Sequence, residues 1–466
     1  MRNKLNFFFY ILTFFCLFIN YSSSNEIFDF DVKEIEIIEN GNRFLGKKGG
    51  VAKTTDGISI SAIKFDYQKI KNILIASGEV KIYDPVNNVT IYANKITYNK
   101  NDELIFSKGN SKAINEEIEI DAENFKYNRL SNIIDASVDV KVNNKKENYI
   151  IFSDNITYNK NDELIFSKGN SKVISDGTLI TGNIFTLDKK NNILNARDNV
   201  KFEDKIEDIL ILTNNVIYNK NINEIFTKGE TRSLIQSKYQ FKSKNVFLNR
   251  ETKELKSSYY TTIKDDNSNF YKLSKFLYYY DRKFLKGTNV EVETNYQKDK
   301  SDRYYFENAF INFSDNSFIS KDTKLEIHNS VFDKERELND NEKNIFLGKN
   351  DPRVYGKSSQ GNENFVILNK AIFTSCKKND NCPPWSIKAN KITHDRIKKD
   401  IIYEKAILNI YDVPVFYFPK FFHPDPSVER RSGLLQPRLN NSNVLGSSIH
   451  IPYFHVISEN KDITFK

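Results

Sequence analysis

A 17-residue segment, Ile-Thr-Tyr-Asn-Lys-Asn-Asp-Glu-Leu-Ile-Phe-Ser-Lys-Gly-Asn-Ser-Lys, occurs at residues 96–112 and again, unchanged, at 156–172. A weakened third copy begins at Val216 and keeps Tyr218, Asn219, Lys220, Phe226 and Gly229. The offset is 60 residues each time, and fainter copies fall halfway between. Tyr67, Tyr98, Tyr127, Tyr158, Leu187, Tyr218 and Leu248 mark the position before successive turns. A fixed period of this kind restricts the chain to a stacked, quasi-one-dimensional architecture in which each unit is covered by its neighbours. Enzyme cores are rarely built this way.

Within one unit the apolar period is two. Ile118, Ile120 and Ala122 alternate with Glu119, Asp121 and Glu123, and Phe125 and Tyr127 follow. After a polar turn at 128–132 come Ile133 and Ile134, then Val138, Val140 and Val142 alternating with Asp139, Lys141 and Asn143. Alternation of β-branched and aromatic residues with polar ones predicts strands with one buried face. The Asn-, Asp- and Lys-rich turns supply residues that tolerate the left-handed backbone of tight hairpins. Each repeat reads as roughly three short strands that bury their apolar face only when copies stack. Only Pro85 precedes residue 352, so the ladders lose almost no donors. The expected fold class is all-β. Ile118, Ile120, Phe125, Val138 and Val140 are expected on the inward face. That face is either a closed core or an open, V-shaped jelly-roll trough able to hold acyl chains.

The 466 residues allow two or three domains, and the formal net charge is +8. The Lys excess reads first as solvated strand faces and second as contact with an anionic partner such as phosphorylated lipid headgroups. No Lys/Arg block is long enough for a nucleic-acid arm. Arg2 and Lys4 precede an apolar run from Leu5 to Ile19, followed by Ser22, Ser23 and Ser24. Residues 1–24 therefore have a signal-peptide layout, and the run is short for a transmembrane helix. Cys16 lacks the small preceding residues that lipidation requires. An exported chain with no longer apolar run enters a membrane only as a β-barrel. Cys376 and Cys382 would lie in an oxidising compartment, which favours a disulfide. The rival metal reading needs further ligands, and no His stands at a usual short spacing. No metal or cofactor is expected.

The repeats fade after about Ser257, and nine of the ten prolines lie in the last quarter. This divides the chain into a repeat jelly roll (25–260), a more irregular β extension with the Cys pair (261–412), and a closing segment (413–466). The late part carries Cys-Pro-Pro-Trp-Ser-Ile-Lys-Ala (382–389), Pro-Val-Phe-Tyr-Phe-Pro (414–419), Arg-Arg-Ser-Gly-Leu-Leu-Gln-Pro (430–437), then Ile451-Pro452-Tyr453 and Asp462-Ile463-Thr464.

In order and spacing these blocks resemble the LptD family of LPS-assembly outer-membrane proteins, also called organic solvent tolerance proteins. Residues 30–260 resemble the OstA-type repeats of the same transport system, a less specific match because soluble bridge proteins share them. The resemblance implies a periplasmic β-jelly roll that receives lipopolysaccharide from an LptA-like bridge protein. It further implies an outer-membrane barrel, plugged by an LptE-like lipoprotein, that releases the lipid sideways. Gly433–Leu439 and Ser448–Phe454 would be the first two barrel strands, with Pro437 and Pro452 as lateral-gate prolines. Proline cannot donate to a ladder, so two in neighbouring strands weaken a seam; equally, both could mark edges or bulges. The family's disulfides reach cysteines near the barrel's C-terminal end, so the partner of Cys376 and of Cys382 stays open. Trp385, the single Trp, is expected to pack the junction between jelly roll and barrel. A barrel of this family needs several hundred residues more, and two or so strands cannot close. The chain is thus expected to hold the periplasmic part, the junction and the first strands.

No Gly-x-Ser-x-Gly, His-Glu-x-x-His or phosphate loop is present. His394 near Cys376 could suggest a thiol pair, but an exported Cys beside a second Cys is more often oxidised. His423-Pro424-Asp425-Pro426 reads as a rigid linker into the barrel. Lipopolysaccharide transport is the leading reading; a soluble periplasmic bridge or scaffold and a surface repeat protein are the alternatives that the Arg-Arg-Ser-Gly block disfavours.

Overall fold

The computed structural model describes residues 27–296, 301–327, 352–376, 384–425, 428, 430–435, 438–442, 446–458 and 460–466. They form an all-β, jelly-roll-like succession of strands, with only three single-turn 3-10 segments among the described residues. The chain divides into two compact units, Met1–Asp176 and Gly177–Lys466. The division falls inside the repeat region.

In the first unit neighbouring strands pair antiparallel in chain order, with Ser59–Ala62 and Lys64–Gln68 sharing one place between Arg43–Thr54 and Ile73–Asp84. Each step of the repeat supplies two long strands rather than three short ones: Ile118–Asn128 has 11 residues and Ile133–Asn144 has 12. The polar interruption that reads as a strand end is a bulge inside a continuous strand. Lys108 faces Asn124, the register shifts, and Ser111 then faces Ala122. Between them Gly109 and Asn110 take φ of 83° and 46°. Gly169–Asn170 (89° and 47°) and Val138–Asp139 (69° and 53°) repeat the step. Bulges bend a strand and raise its twist, which lets a long ribbon curl over its own apolar face.

Hydroxyls hold these bends. Ser107 Oγ donates to Ser111 Oγ at 2.8 Å, and Ser111 Oγ donates to the Glu123 carbonyl at 3.2 Å. In the next copy Ser167 and Ser171 stand 2.8 Å apart, and Ser153 Oγ donates to the Gly169 carbonyl at 2.9 Å. The second unit uses Thr227 and Thr231, 2.7 Å apart.

The glycines at these bends give a graded expectation. Gly229 (φ 96°) has no atom within 4 Å of an added Cβ, so Gly229→Ala should cost about 1–2 kcal/mol from the left-handed backbone alone. At Gly169 (φ 89°) a Cβ would come within 2.4 Å of Asp154 Oδ2, which accepts from Asn170 at 3.0 Å. Gly169→Ala should cost more in denaturant unfolding; equal losses would contradict the packing at the bend.

The tyrosines that mark the repeat form one buried row. Tyr98 faces Leu74 and Ile105, Tyr127 faces Ile105 and Ile134, and Tyr158 faces Ile134 and Ile165. Two of these hydroxyls, those of Tyr98 and Tyr127, reach a charged cluster at the turn end of the row. Tyr127 donates to Asp84 at 2.9 Å and Tyr98 to Glu103 at 2.7 Å. Arg129 binds Asp84 at 3.0 Å through Nε, Asp56 at 2.8 Å through Nη1, and Glu103.

In the second unit, regular pairing continues past residue 260, where the sequence repeat fades. From Phe284–Glu293 to Val413–Pro424, consecutive strands of 9–12 residues pair antiparallel. Sequence similarity decays faster than the strand period because any alternating apolar residue fills an inward position. Val413–Pro424 carries Pro414, Pro419 and Pro424, and among the described residues it pairs only with Asp400–Ile410. An edge strand is where proline is tolerated. Short strands follow: Gly433–Leu434, Arg438–Ser442, Gly446–His450, Tyr453–Ser458 and Lys461–Phe465.

Candidate functional site

Four of the five residues expected on the inward face are buried: Ile118 and Ile120 at 2% exposure, Phe125 at 3% and Val140 at 1%. Val138 is not, contrary to expectation. It is 51% exposed, because it sits at the left-handed bulge step, where the two-residue alternation is interrupted. Glu119, on the opposite face, pairs with Lys112 and with Lys145 at 3.8 Å. Around Ile118 and Ile120 the side chains close on one another. The void they share with Val89, Ala113, Ile134 and Tyr158 is about 10 Å³, the threshold for one water.

A larger space lies within the second unit. It measures about 550 Å³, with Tyr271, Val292, Tyr304, Phe306, Ile311, Phe318 and Ile327 among its apolar and aromatic lining. Asn267, Asn269, Asn316, Asn362, Glu363, Lys399 and the groups around Arg396 supply the polar part. Arg396, in the turn after Trp385–Asp395, donates to Asp302 at 2.7 Å and to the Tyr304 hydroxyl. Burial pushes the Tyr304 phenol above its ordinary pKa, so it stays neutral. Tyr271 donates to Asp265 at 2.9 Å. Burial raises the Asp265 carboxyl, and bonds from Asn269 and Tyr271 only partly oppose it. His394, 3% exposed, bonds through Nε2 to Asp425, itself 6% exposed. His394 thus serves the entry to the closing segment and is not seen paired with Cys376.

His423 lies in the edge strand, its ring tilted against Tyr403 and Phe373 at 5.4 and 5.2 Å, and its Nε2 stands 2.8 Å from the Tyr403 hydroxyl. Burial lowers its pKa. This group contributes stability above its unfolded pKa of about 6.5, lost as pH falls through the depressed folded value. Replacing it by Phe should flatten that part of a stability–pH profile; an unchanged slope would count against the buried neutral ring.

The second expected barrel strand is interrupted at Ile451–Pro452, and the first is described only on either side of residues 436–437. Gly433 faces Phe454, Leu434 faces Tyr453, and the Leu435 amide donates to the Pro452 carbonyl at 2.8 Å. Pairing resumes at Arg438 opposite His450. Pro452 is buried in this gap; Pro437 lies outside the described residues. Cys376 is buried and bonded to no other cysteine among the described residues, its Sγ 3.5 Å from the Trp385 carbonyl, while Cys382 lies outside the described residues. Trp385 packs on Phe373 at 6.0 Å. Sequence reasoning missed the serine and threonine pairs at the bends, although Ser-Lys-Gly-Asn-Ser and Thr-Lys-Gly-Glu-Thr repeat at the 60-residue offset. It also missed Arg396, Asp302 and Asp425.

Among the described residues no group of three or more His, Cys, Asp and Glu side chains is placed to hold a metal ion. No helix among them is long and apolar enough to cross a membrane, a fact that leaves β-strand crossing untouched.

Over 103 residues the chain is 34% identical to the LPS-assembly protein LptD of Polaromonas sp. (strain JS666 / ATCC BAA-500), covering 22% of this chain and 12% of that protein. It is 38% identical over 98 residues to LptD of Haemophilus ducreyi, covering 21% and 12%, and 34% identical over 105 residues to LptD of Yersinia enterocolitica, covering 22% and 13%. The chain thus spans about an eighth of the length of the curated relatives it matches. A crystal structure of LptH, the LptA homologous periplasmic component of the lipopolysaccharide transport device of Pseudomonas aeruginosa, aligns with 31% of this chain and 83% of its own, at 15% identity and a TM-score of 0.16. No family model matches the sequence.

Proposed function

We propose that this chain works in lipopolysaccharide transport and assembly at the outer membrane, taking the lipid into its β-jelly roll and passing it to an outer-membrane barrel. The observation that carries this reading is the similarity to LPS-assembly proteins of several bacteria, on a chain whose repeat strands alternate buried apolar and exposed polar residues between their bulges. The mechanism is non-covalent. Acyl chains slide along the inward face that includes Ile118, Ile120, Phe125 and Val140, where burial offsets the cost of exposing them to water. Because that face is closed around Ile120, entry of a chain requires the walls to part there. The protein acts as a carrier, not a catalyst, and direction comes from energy supplied upstream.

The first strand, Phe28–Ile38, pairs on one side with Arg43–Thr54, and Ile35 and Ile37 are 48% and 56% exposed. Among the described residues its other edge carries no partner strand, and such an edge suits strand addition by an LptA-like bridge protein. At the other end, the ladder gap at Pro452, together with Pro437, suits a seam that parts without breaking many hydrogen bonds. An LptE-like lipoprotein would plug the barrel. Residues 1–24 serve as the export signal, the jelly roll is periplasmic, and Cys376 and Cys382 are oxidised there. Fractionating the source cells and blotting with an antibody to the repeat region tests this placement. Recovery with the outer membrane is expected; recovery in the soluble periplasm would leave only a bridge or scaffold and remove the gate assignment.

A further inference from the structure

Gly433–Leu434, Tyr453–Ser458 and Lys461–Phe465 form a three-stranded sheet of their own. Among the described residues no ladder joins this closing sheet to the long strand run that ends at Val413–Pro424. Its placement on that run therefore falls to the residues between them. On the strand-run side, the Asp425 amide donates to the Lys399 carbonyl at 2.9 Å, and the Asp425 carboxylate meets His394. Arg431 returns to the same hairpin end. Its guanidinium takes Asp400 in a fork, with Nη1 on one oxygen and Nη2 3.2 Å from the other. Nη1 also reaches the Lys398 and Lys399 carbonyls at 3.4 and 3.3 Å.

The neighbouring residues hold the other body. Arg430 Nη2 donates to Asp462, and Ser432 Oγ accepts from the Val456 amide at 2.8 Å. Val456 and Asp462 face each other across two strands of the closing sheet, so Arg430 and Ser432 grip one rung of it. Gly433 and Leu434 then enter its ladder. A hold on one body and a hold on the other thus lie on adjacent residues, Arg431 and Arg430. A forked guanidinium–carboxylate pair fixes orientation as well as distance, which a point charge does not. Both guanidinium side chains are partly exposed, so these pairs contribute orientation more than folding energy.

We propose that Arg430 and Arg431 are positioning residues, a two-armed joint that sets one orientation of the closing sheet on the last hairpin of the strand run. The joint rests on the proposed function only for the cargo that crosses it: a lipid passes between two bodies without meeting water only if their apolar faces stay aligned. Without the Arg431 fork the hold on the strand run falls back to Asp425, and the span up to Arg430 becomes a hinge.

Distance measurement by electron paramagnetic resonance on the full chain tests it, with spin labels carried on a ketone-bearing amino acid at Ile410 and Ile457, which leaves the cysteines untouched. Both side chains are exposed, at 46% and 60%. Ile410 stands about 30 Å along its strand from Asp400, so a small rotation at the joint moves it far. The parent should give one narrow distance. The variant carrying both Arg431→Gln and Asp400→Asn removes the fork without stranding a buried charge. It should at least about double the width of the distance distribution, with the melting temperature near the parent's. Arg430→Gln should broaden it less, because Ser432 and the Gly433 pairing still hold the closing sheet. A broad parent, a double variant as narrow as the parent, a larger effect from Arg430→Gln, or broadening that comes only with a fall in melting temperature would each overturn the joint. Lipopolysaccharide captured at Ile120 with unbroadened distances would sink the joint alone; broadening without such capture would keep the joint and sink the transport reading.

Discussion

Arg129→Met should destabilise the first unit by about 3–5 kcal/mol, because it strands a carboxylate in the interior. Asp84 is fully buried, and Arg129 is 8% exposed. Burial alone would raise the Asp84 carboxyl. The Arg129 guanidinium, with Asn87 and Tyr127, outweighs burial and holds it below the ordinary carboxylate range. A depressed carboxyl contributes stability above its unfolded pKa of about 3.9 and loses it as pH falls through the folded value. In Arg129→Met the same carboxyl loses its cation and prefers to be protonated. The stability gap between parent and variant should therefore be widest near neutral pH and shrink toward pH 3. A gap independent of pH would mean that Arg129 acts by packing alone.

The second large effect separates two valines two residues apart. Val140→Asn should cost about 3–5 kcal/mol: it removes a buried apolar side chain and leaves an amide without a partner. Val138→Asn should instead stabilise by about 1 kcal/mol, since a β-branched residue is strained at φ 69° and Asn tolerates that region. The matching steps in other copies begin with Lys48, Gly78, Gly109, Gly169, Asp198 and Gly229, none of them β-branched, which shows how unusual Val138 is there. Denaturant midpoints of both variants decide it; equal destabilisation would mean that Val138 faces inward after all.

These valines also show where the sequence stops being legible. Ile118, Ile120, Phe125 and Val140 were readable because alternation reports facing as long as the ladder is unbroken. Glycine or Asn at most bends announces a left-handed step, but Val138–Asp139 hides one inside a perfect-looking alternation. The strand count differs from the sequence expectation for the same reason, a polar step inside a strand being indistinguishable from a turn. The charged cluster and the cavity leave no local trace at all. Arg129 meets Asp84 across 45 residues, and Arg396 meets Asp302 across 94. Only the stacking of distant hairpin ends brings such groups together, and no period in the sequence encodes it.

On the proposed reading, lipopolysaccharide travels along the inward face. The most direct measurement places a photo-crosslinking side chain at Ile120 and, separately, at Glu119 in the full chain in living cells, then blots for lipopolysaccharide adducts after illumination. Ile120 points inward and Glu119 outward on the same strand. An adduct at Ile120 and none at Glu119 is expected; equal labelling at both, or none at Ile120 in a folded protein, would overturn the inward-face route.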